Sequence, residues 1–280
     1  MRMATSARSP SWRRAGLWMY VIAVIYAAIS LVPFLWSIYT SVKPTSEVFQ
    51  LFVPWRTLTL SSYTSILQNF PFGRWFLNSA IVAFIVTVGN LVVNTFAGYA
   101  FARLRFPGRG FLFYVFLGVM MIPGQVVLVP IYMLLARLGW INTYVGLTVP
   151  FLLSSTMVFL SRQFFLGIPK ELEEAARIDG IGYFGMFFRI MLPLARPLLA
   201  AQTILTFQGN WNSFLWPLLI GQTTNMYTLP VGLNSFYGQY NAYWNSVMAG
   251  MVLLTVPMMV VFIIFQRQFI QGVSQAGLKG

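Results

Sequence analysis

Glu171, Glu173, Glu174 and Asp179 fall within nine residues of a 280-residue chain whose only other carboxylate is Glu47. The sequence is 58% hydrophobic and 8% charged, so this acidic island marks the place where an apolar molecule meets something soluble. The stretch from Ile168 to Pro193 also carries Lys170, Arg177 and Arg189. Each charge would cost about 2.5 to 3.5 kcal/mol at the centre of a bilayer, which places the segment outside the membrane. With no His and no Cys, thiolate and imidazole metal sites, disulfides and His-based acid–base chemistry are excluded. There is no Walker A pattern and no Gly-rich dinucleotide loop, so the chain has no means of hydrolysing a nucleotide. No catalytic residue, metal ligand or resident cofactor is assigned, and any energy used must come from a partner.

Local signals fold the island into two short helices with a bend. Pro169 suits a first helical turn, and the three glutamates follow at the positive end of the helix dipole. Glu173 and Arg177 are spaced i,i+4 in the favourable order, and Leu172, Ala175 and Ala176 make a small apolar strip. Gly180 supplies a left-handed stop. A second helix over Tyr183 to Met191, with Phe184, Phe187 and Phe188 at helical spacing, is expected to end before Pro193.

These helices must be carried by membrane spans, because so little polar surface cannot coat a soluble globule. Apolar runs predict six, over about 16–37, 76–101, 110–136, 144–160, 198–220 and 247–265, with an irregular loop at 40–74. The first run follows a basic flank that resembles a signal peptide. Its apolar stretch is longer than a signal core, with Ala27-Ala28 the nearest approach to a cleavage site, and it reads as a retained span. An even number of spans puts both termini on one side. With that side cytoplasmic, fourteen Lys and Arg lie inside against Lys43, Arg56, Arg74 and Arg137 outside. The formal charge of +13 therefore reflects contact with anionic lipid rather than nucleic acid. Trp18, Trp36, Trp75, Trp140 and Trp244 fall near span ends, as interfacial anchors do.

No carboxylate lies within a predicted span, which argues against a proton- or sodium-driven carrier. A polar, uncharged path suits a neutral solute such as a sugar. Candidates to line it are Asn90, Asn94, Gln125, Ser154, Ser155, Thr156, Gln208, Asn210, Trp211, Asn212, Ser213 and Trp216, in which amides beside aromatics could grip a sugar ring. Each could equally bond a neighbouring helix. Pro123, Pro150, Pro217 and Pro257 are expected to interrupt spans three to six and free backbone groups that neighbours must satisfy.

The spacing Glu174-Ala175-Ala176, three residues, Gly180, nine residues, Ile190, one residue, Leu192-Pro193 resembles in full the EAA signature of permease subunits of binding-protein-dependent ABC importers. The likeness extends to the maltose-type second permease through Asn78-Ser79, Ala100 to Gly108, Met121 to Gln125, Leu138 to Thr143, Phe207 to Pro217 and Gln266 to Gly272. It is close over 75–280 and only general before that. The resemblance implies an all-α, six-helix type I importer permease in the bacterial inner membrane. Its parts would be a tail, first span and external loop at 1–74, a permease domain at 75–267 with coupling helices at 169–193, and a cytoplasmic tail at 268–280. It further implies a second permease subunit, two ATP-binding subunits that hold ATP and Mg, and an extracytoplasmic solute-binding protein. Glu174, Ala175, Ala176, Asp179, Gly180, Ile190, Leu192 and Pro193 would couple to the ATPase. A secondary carrier or a channel for a neutral solute is the alternative.

Overall fold

The computed structural model describes residues 11–236 and 243–277, and side chains over 18–236 and 243–270. The basic tail residues Arg2 and Arg8 lie outside the described residues. All regular structure among these residues is helical. In chain order the elements are α1 (Ser11–Ser41), α2 (Ser61–Asn69), α3 (Phe72–Arg103), α4 (Arg109–Met120), α5 (Gly124–Arg137), α6 (Tyr144–Thr148) and α7 (Ser155–Leu166). They continue with α8 (Glu171–Ile178), α9 (Tyr183–Leu194), α10 (Arg196–Trp211), α11 (Leu215–Ile220), α12 (Leu229–Asn234) and α13 (Trp244–Gly277). Four helical segments are long and apolar enough to cross a membrane, and six are if each of two bent helix pairs counts as one span.

Helix α3 is the axis, with α7 and α10 packed on it, α13 against α10, and α1 beside α13. At 1.5 Å per residue its 32 residues reach about 48 Å, more than the roughly 30 Å of hydrocarbon, so its last turn with Arg103 projects beyond the bilayer core. Outward side chains of α1, among them Trp18, Tyr26 and Phe34, are exposed, as lipid contact requires. The loop after α1 buries Lys43 completely, between the rings of Trp36 and Tyr39 and with Nζ donating to Gln50 O at 2.7 Å.

The third apolar run is not one rod. It breaks before Gly124, where Pro123 is extended (ψ 130°), and α4 meets α5 at 101°. Span four breaks at Pro150: α6 passes through a 3-10 turn, Val149–Phe151, before Ser154 caps α7 by accepting from Met157 N. Span five breaks at 212–214 rather than at Pro217, which sits in the first turn of α11, where its missing N–H breaks no helical bond. Pro257, by contrast, sits within an unbroken α13, and that helix continues to Gly277, through most of the segment expected to be a tail.

The three central helices meet at a polar knot inside the apolar bundle. Gln202 of α10 is fully buried; its Oε1 accepts from Thr95 Oγ1 of α3 at 3.1 Å, and its Nε2 donates to Ser161 Oγ at 2.6 Å and Met157 O at 3.2 Å on α7. Interhelical bonds of this kind contribute about 0.6 kcal/mol each, rising to about 1.7. Gln202→Leu is expected to strand the Thr95 hydroxyl, while Ser161 Oγ keeps its bond to Met157 O, and to lower the thermal midpoint of the detergent-purified protein by a few degrees. An unchanged midpoint would show the knot to be energetically neutral.

Candidate functional site

The EAA segment leaves the bundle after α7 and returns as α9. Helix α8 begins at Glu171, with Glu171, Glu173 and Glu174 in its first turn, and ends where Gly180 takes φ +75°, a left-handed conformation that favours glycine. Pro169 stands just before the helix. Helix α9 does not stop at Pro193. Its turns over Met186–Met191 are π, and the wider i→i+5 pattern accommodates the proline, so the helix runs to Leu194 and meets α10 at 74°.

Helix α8 is two-faced. Its inner face carries Glu173 and Ala176, both buried. Ala176 packs in a cluster with Tyr99, Phe165, Met186 and Phe187, which fixes α8 against the ends of α3 and α7. The expected Glu173–Arg177 pair does not form. Glu173 Oε1 instead lies 3.0 Å from Arg103 Nε, an ion pair without hydrogen-bond alignment, while the Arg177 guanidinium faces the Tyr183 ring. Arg103 Nη2 also donates to Phe165 O at 2.6 Å, which already accepts from Ile168 N, and to Ile168 O just beyond the end of α7. One guanidinium therefore joins three elements, and tertiary contact outweighs a local i,i+4 attraction of about 0.3 to 0.5 kcal/mol.

The outer face of α8 shows Leu172, Ala175, Ile178 and Asp179 to solvent, and Ile178 is 87% exposed. Glu174 and Gly180 are exposed as well, Ile190 and Leu192 are partly buried around the Ala176 cluster, and Pro193 is exposed.

The polar path candidates divide into two groups. Asn90 and Asn94 are buried: Asn90 Nδ2 donates to Phe151 O, Asn94 Nδ2 to Asn90 Oδ1 at 2.7 Å, and Ser154 N to Asn94 Oδ1 at 3.0 Å. They satisfy the backbone that the Pro150 break frees. Trp211 is 1% exposed, with Nε1 donating to Leu254 O and its ring stacked on Phe207. Trp216 is buried with Nε1 donating to Gly146 O. Neither ring has a free face to offer a sugar. Asn210 Nδ2 bonds Thr206 O within its own helix. Gln125, Thr156, Gln208 and Asn212 are exposed, and Ser155 and Ser213 half-buried. Asn212 lines a cavity of about 430 Å³ with Phe214, Pro230 and Asn234.

At the end of the bundle remote from α8, the start of α3 clamps the segment after α11. Asn78 Nδ2 donates to Asn225 O and Tyr227 O, both at 2.8 Å, its Oδ1 accepts from Tyr144 Oη, and Ser79 Oγ accepts from Leu229 N. Trp75, expected as an interfacial anchor, is 1% exposed there and donates to Thr224 O. Asn142, at φ +59°, accepts from Gln222 N and Thr223 N.

The profile of the family described as "Binding-protein-dependent transport system inner membrane component" matches residues 94–275. The chain belongs to that family. The match contains the whole EAA segment and four of the six spans, and this inner membrane component is therefore a permease subunit rather than an enzyme. It is 38% identical over 270 residues to the arabinooligosaccharides transport system permease protein AraQ of Halalkalibacterium halodurans, covering 94% of this chain and 96% of the relative. It is 36% identical to the sn-glycerol-3-phosphate transport system permease protein UgpE of Yersinia pestis, covering 93% and 96%. Among solved structures, a bacterial ABC transporter involved in import of the acidic polysaccharide alginate has a chain that superposes with a TM-score of 0.81 at 23% identity, over 95% of this chain and 100% of that one. That likeness shows the permease fold.

Sequence reasoning passed over three residues of this component that the structure makes central: Arg103, Gln202 and Thr95. Gln202, an amide in an apolar run, was the available signal for the knot. Arg103 read only as part of a basic turn, and nothing local announced its partner seventy residues on.

Proposed function

We propose that the chain is one permease subunit of an ATP-driven importer of a sugar or oligosaccharide in a bacterial cytoplasmic membrane, with both termini and the EAA segment on the cytoplasmic side. The observation that carries this reading is the exposed apolar edge of α8. Ile178 and Leu172 stand in water on a helix held from behind by Ala176 and the Arg103–Glu173 pair. Such a face fits a groove on another protein, and in this family's transport systems the natural occupant is an ATPase.

In the proposed mechanism two ATP-binding subunits, which hold ATP and Mg, close on each other and carry α8 with them. Glu174, Ala175, Asp179 and Gly180 form the contact and its turn. Ala176, Ile190, Leu192 and Pro193 hold it to the bundle. Because α9 joins α10 through a single non-helical residue, Ala195, displacement of the EAA segment reaches α10 and the knot at Gln202 directly. A second, different permease subunit completes the path, and an extracytoplasmic solute-binding protein delivers the solute. On this chain the path is lined by Gln125, Gln208, Asn212 and Ser213. These are uncharged, which favours a neutral sugar over a phosphorylated solute.

The test is uptake into proteoliposomes that contain the purified assembly. Ile178→Asp is expected to leave the permease folded, to abolish co-purification of the ATPase and to reduce ATP-dependent uptake at least about 100-fold, as loss of a central apolar anchor does. Uptake driven by an ion gradient without ATP, or conductance by the permease alone, would overturn the reading.

A further inference from the structure

Behind α8 lies a basic crevice whose unpaired cations the coupling reading does not use. It measures about 500 Å³ and is lined by Arg103, Arg105, Arg109, Lys170 and Arg177. The acids on its wall are Glu173 and Glu174, and Glu173 is already paired with Arg103. Arg105, Arg109, Lys170 and Arg177 have no acidic partner among the described residues. Four uncompensated cations against one free carboxylate make the crevice a site for an anion.

The crevice does not end in water. A smaller space of about 200 Å³ shares Arg103, Glu173, Arg177 and Tyr183 with it. That space shares Tyr99, Leu104 and Tyr183 in turn with an apolar groove of about 640 Å³ between α3 and α9. Phe96, Ala97, Ala100, Phe184 and Phe187 line the groove, and Arg105 and Tyr183 border both it and the basic crevice. Phe96 lies on a helix long and apolar enough to cross a membrane, two turns before Arg103, which sets the groove on the apolar side of the charged crevice. A basic pocket joined to an apolar channel at a membrane surface has the shape and polarity of a phospholipid.

We propose that this site binds one anionic phospholipid, its phosphate held by Arg105, Arg109 and Lys170 and one acyl chain laid along Phe96, Ala97 and Phe184. A soluble phosphate would use the cations and leave the groove empty; the continuity of the two spaces selects the lipid. Lys170, Glu173, Glu174 and Arg177 turn toward the crevice, whereas Leu172, Ala175 and Ile178 lie on the other side of α8. Lipid and docking partner therefore take different faces of one helix, with Glu174 on the border between them, and an occupied site would brace α8 from behind.

The experiment is native mass spectrometry of the purified assembly, ATPase included, after addition of phosphatidylglycerol or of phosphatidylcholine with the same chains. Preferential retention of phosphatidylglycerol is expected. Arg105→Gln with Lys170→Gln should reduce it roughly 25-fold, about fivefold for each basic side chain removed. Arg105→Lys with Lys170→Arg should keep it, which separates loss of charge from loss of fold. Ala97→Leu, which leaves every cation in place and fills the groove, should also weaken retention. Equal retention of the two lipids would overturn the proposal. So would displacement of the lipid by millimolar inorganic phosphate, which would assign the crevice to a soluble anion. Retention by the permease alone, lost when the ATPase binds, would overturn it by giving the crevice to the protein partner. The readout is lipid mass, so it stands or falls independently of the uptake assay.

Discussion

Replacing Arg103 with Met is expected to lower the thermal midpoint of the purified permease sharply and, in the proposed assembly with its ATPase, to leave ATP hydrolysis running without uptake. The Arg103 side chain is 4% exposed and that of Glu173 11%. Removing one member of such a pair costs about 3 to 5 kcal/mol, because the other charge stays buried without a partner. The loss also strands the carbonyl of Ile168 and takes one of two donors from that of Phe165. Arg103→Met with Glu173→Leu should recover part of the stability, since no unpaired charge remains, yet should not restore uptake, since α8 is no longer tied to α3 by charge. The charge swap Arg103→Glu with Glu173→Arg should fail on both measures, because a carboxylate at 103 would face those two carbonyls. Thermal melts and the ratio of ATP hydrolysed to solute moved separate these outcomes. A swap that behaves like the native chain would show that the pair acts through charge alone and that the carbonyl bonds contribute nothing.

The second large effect is expected at Gly98, where α3 touches α7. A Cβ there would lie 2.2 Å from Ser161 Cβ and 2.8 Å from Arg162 N, and the second of these is backbone. Neither helix can yield without disturbing the Gln202 knot, whose Ser161 Oγ lies at the same contact. Gly98→Val is therefore expected to cost about 3 kcal/mol or more and to give little monodisperse protein by size-exclusion chromatography. Ser161→Gly in the same chain removes the nearest atom and leaves Arg162 N in place, so the rescue should be partial. Full expression of Gly98→Val alone would mean that α3 and α7 pack more loosely than these distances state.

What the sequence by itself determined was whatever rests on composition and on nearest neighbours along the chain. The apolar runs and the charge of the 168–193 segment require a membrane bundle with one polar outcrop, and the absence of His and Cys excludes thiolate, imidazole and disulfide chemistry. Gly180 had to be the stop of α8, because a positive φ is a local demand. The EAA spacing carried the family, and the profile match over 94–275 agrees with it. The break at Pro150 was equally legible, since a missing N–H and a crowded carbonyl act within one turn.

Tertiary structure decided what depends on which side chain a distant element presents. Glu173 had Arg177 four residues away and took Arg103, because a partner among buried carbonyls at the end of two helices offers less competition from water than an exposed neighbour. Trp211 and Trp216 had the composition of a sugar platform, yet their indoles reach Leu254 O and Gly146 O and their rings close the core. Asn90 and Asn94 carry the groups a polar path needs and use them on backbone that the Pro150 break exposes. Pro193 should have ended α9 and did not, because a run of π turns ahead of it changed the local register. In each case the side-chain chemistry was plain from the sequence, whereas its partner was set by helix packing across more than forty residues, or by a register that no single residue type specifies.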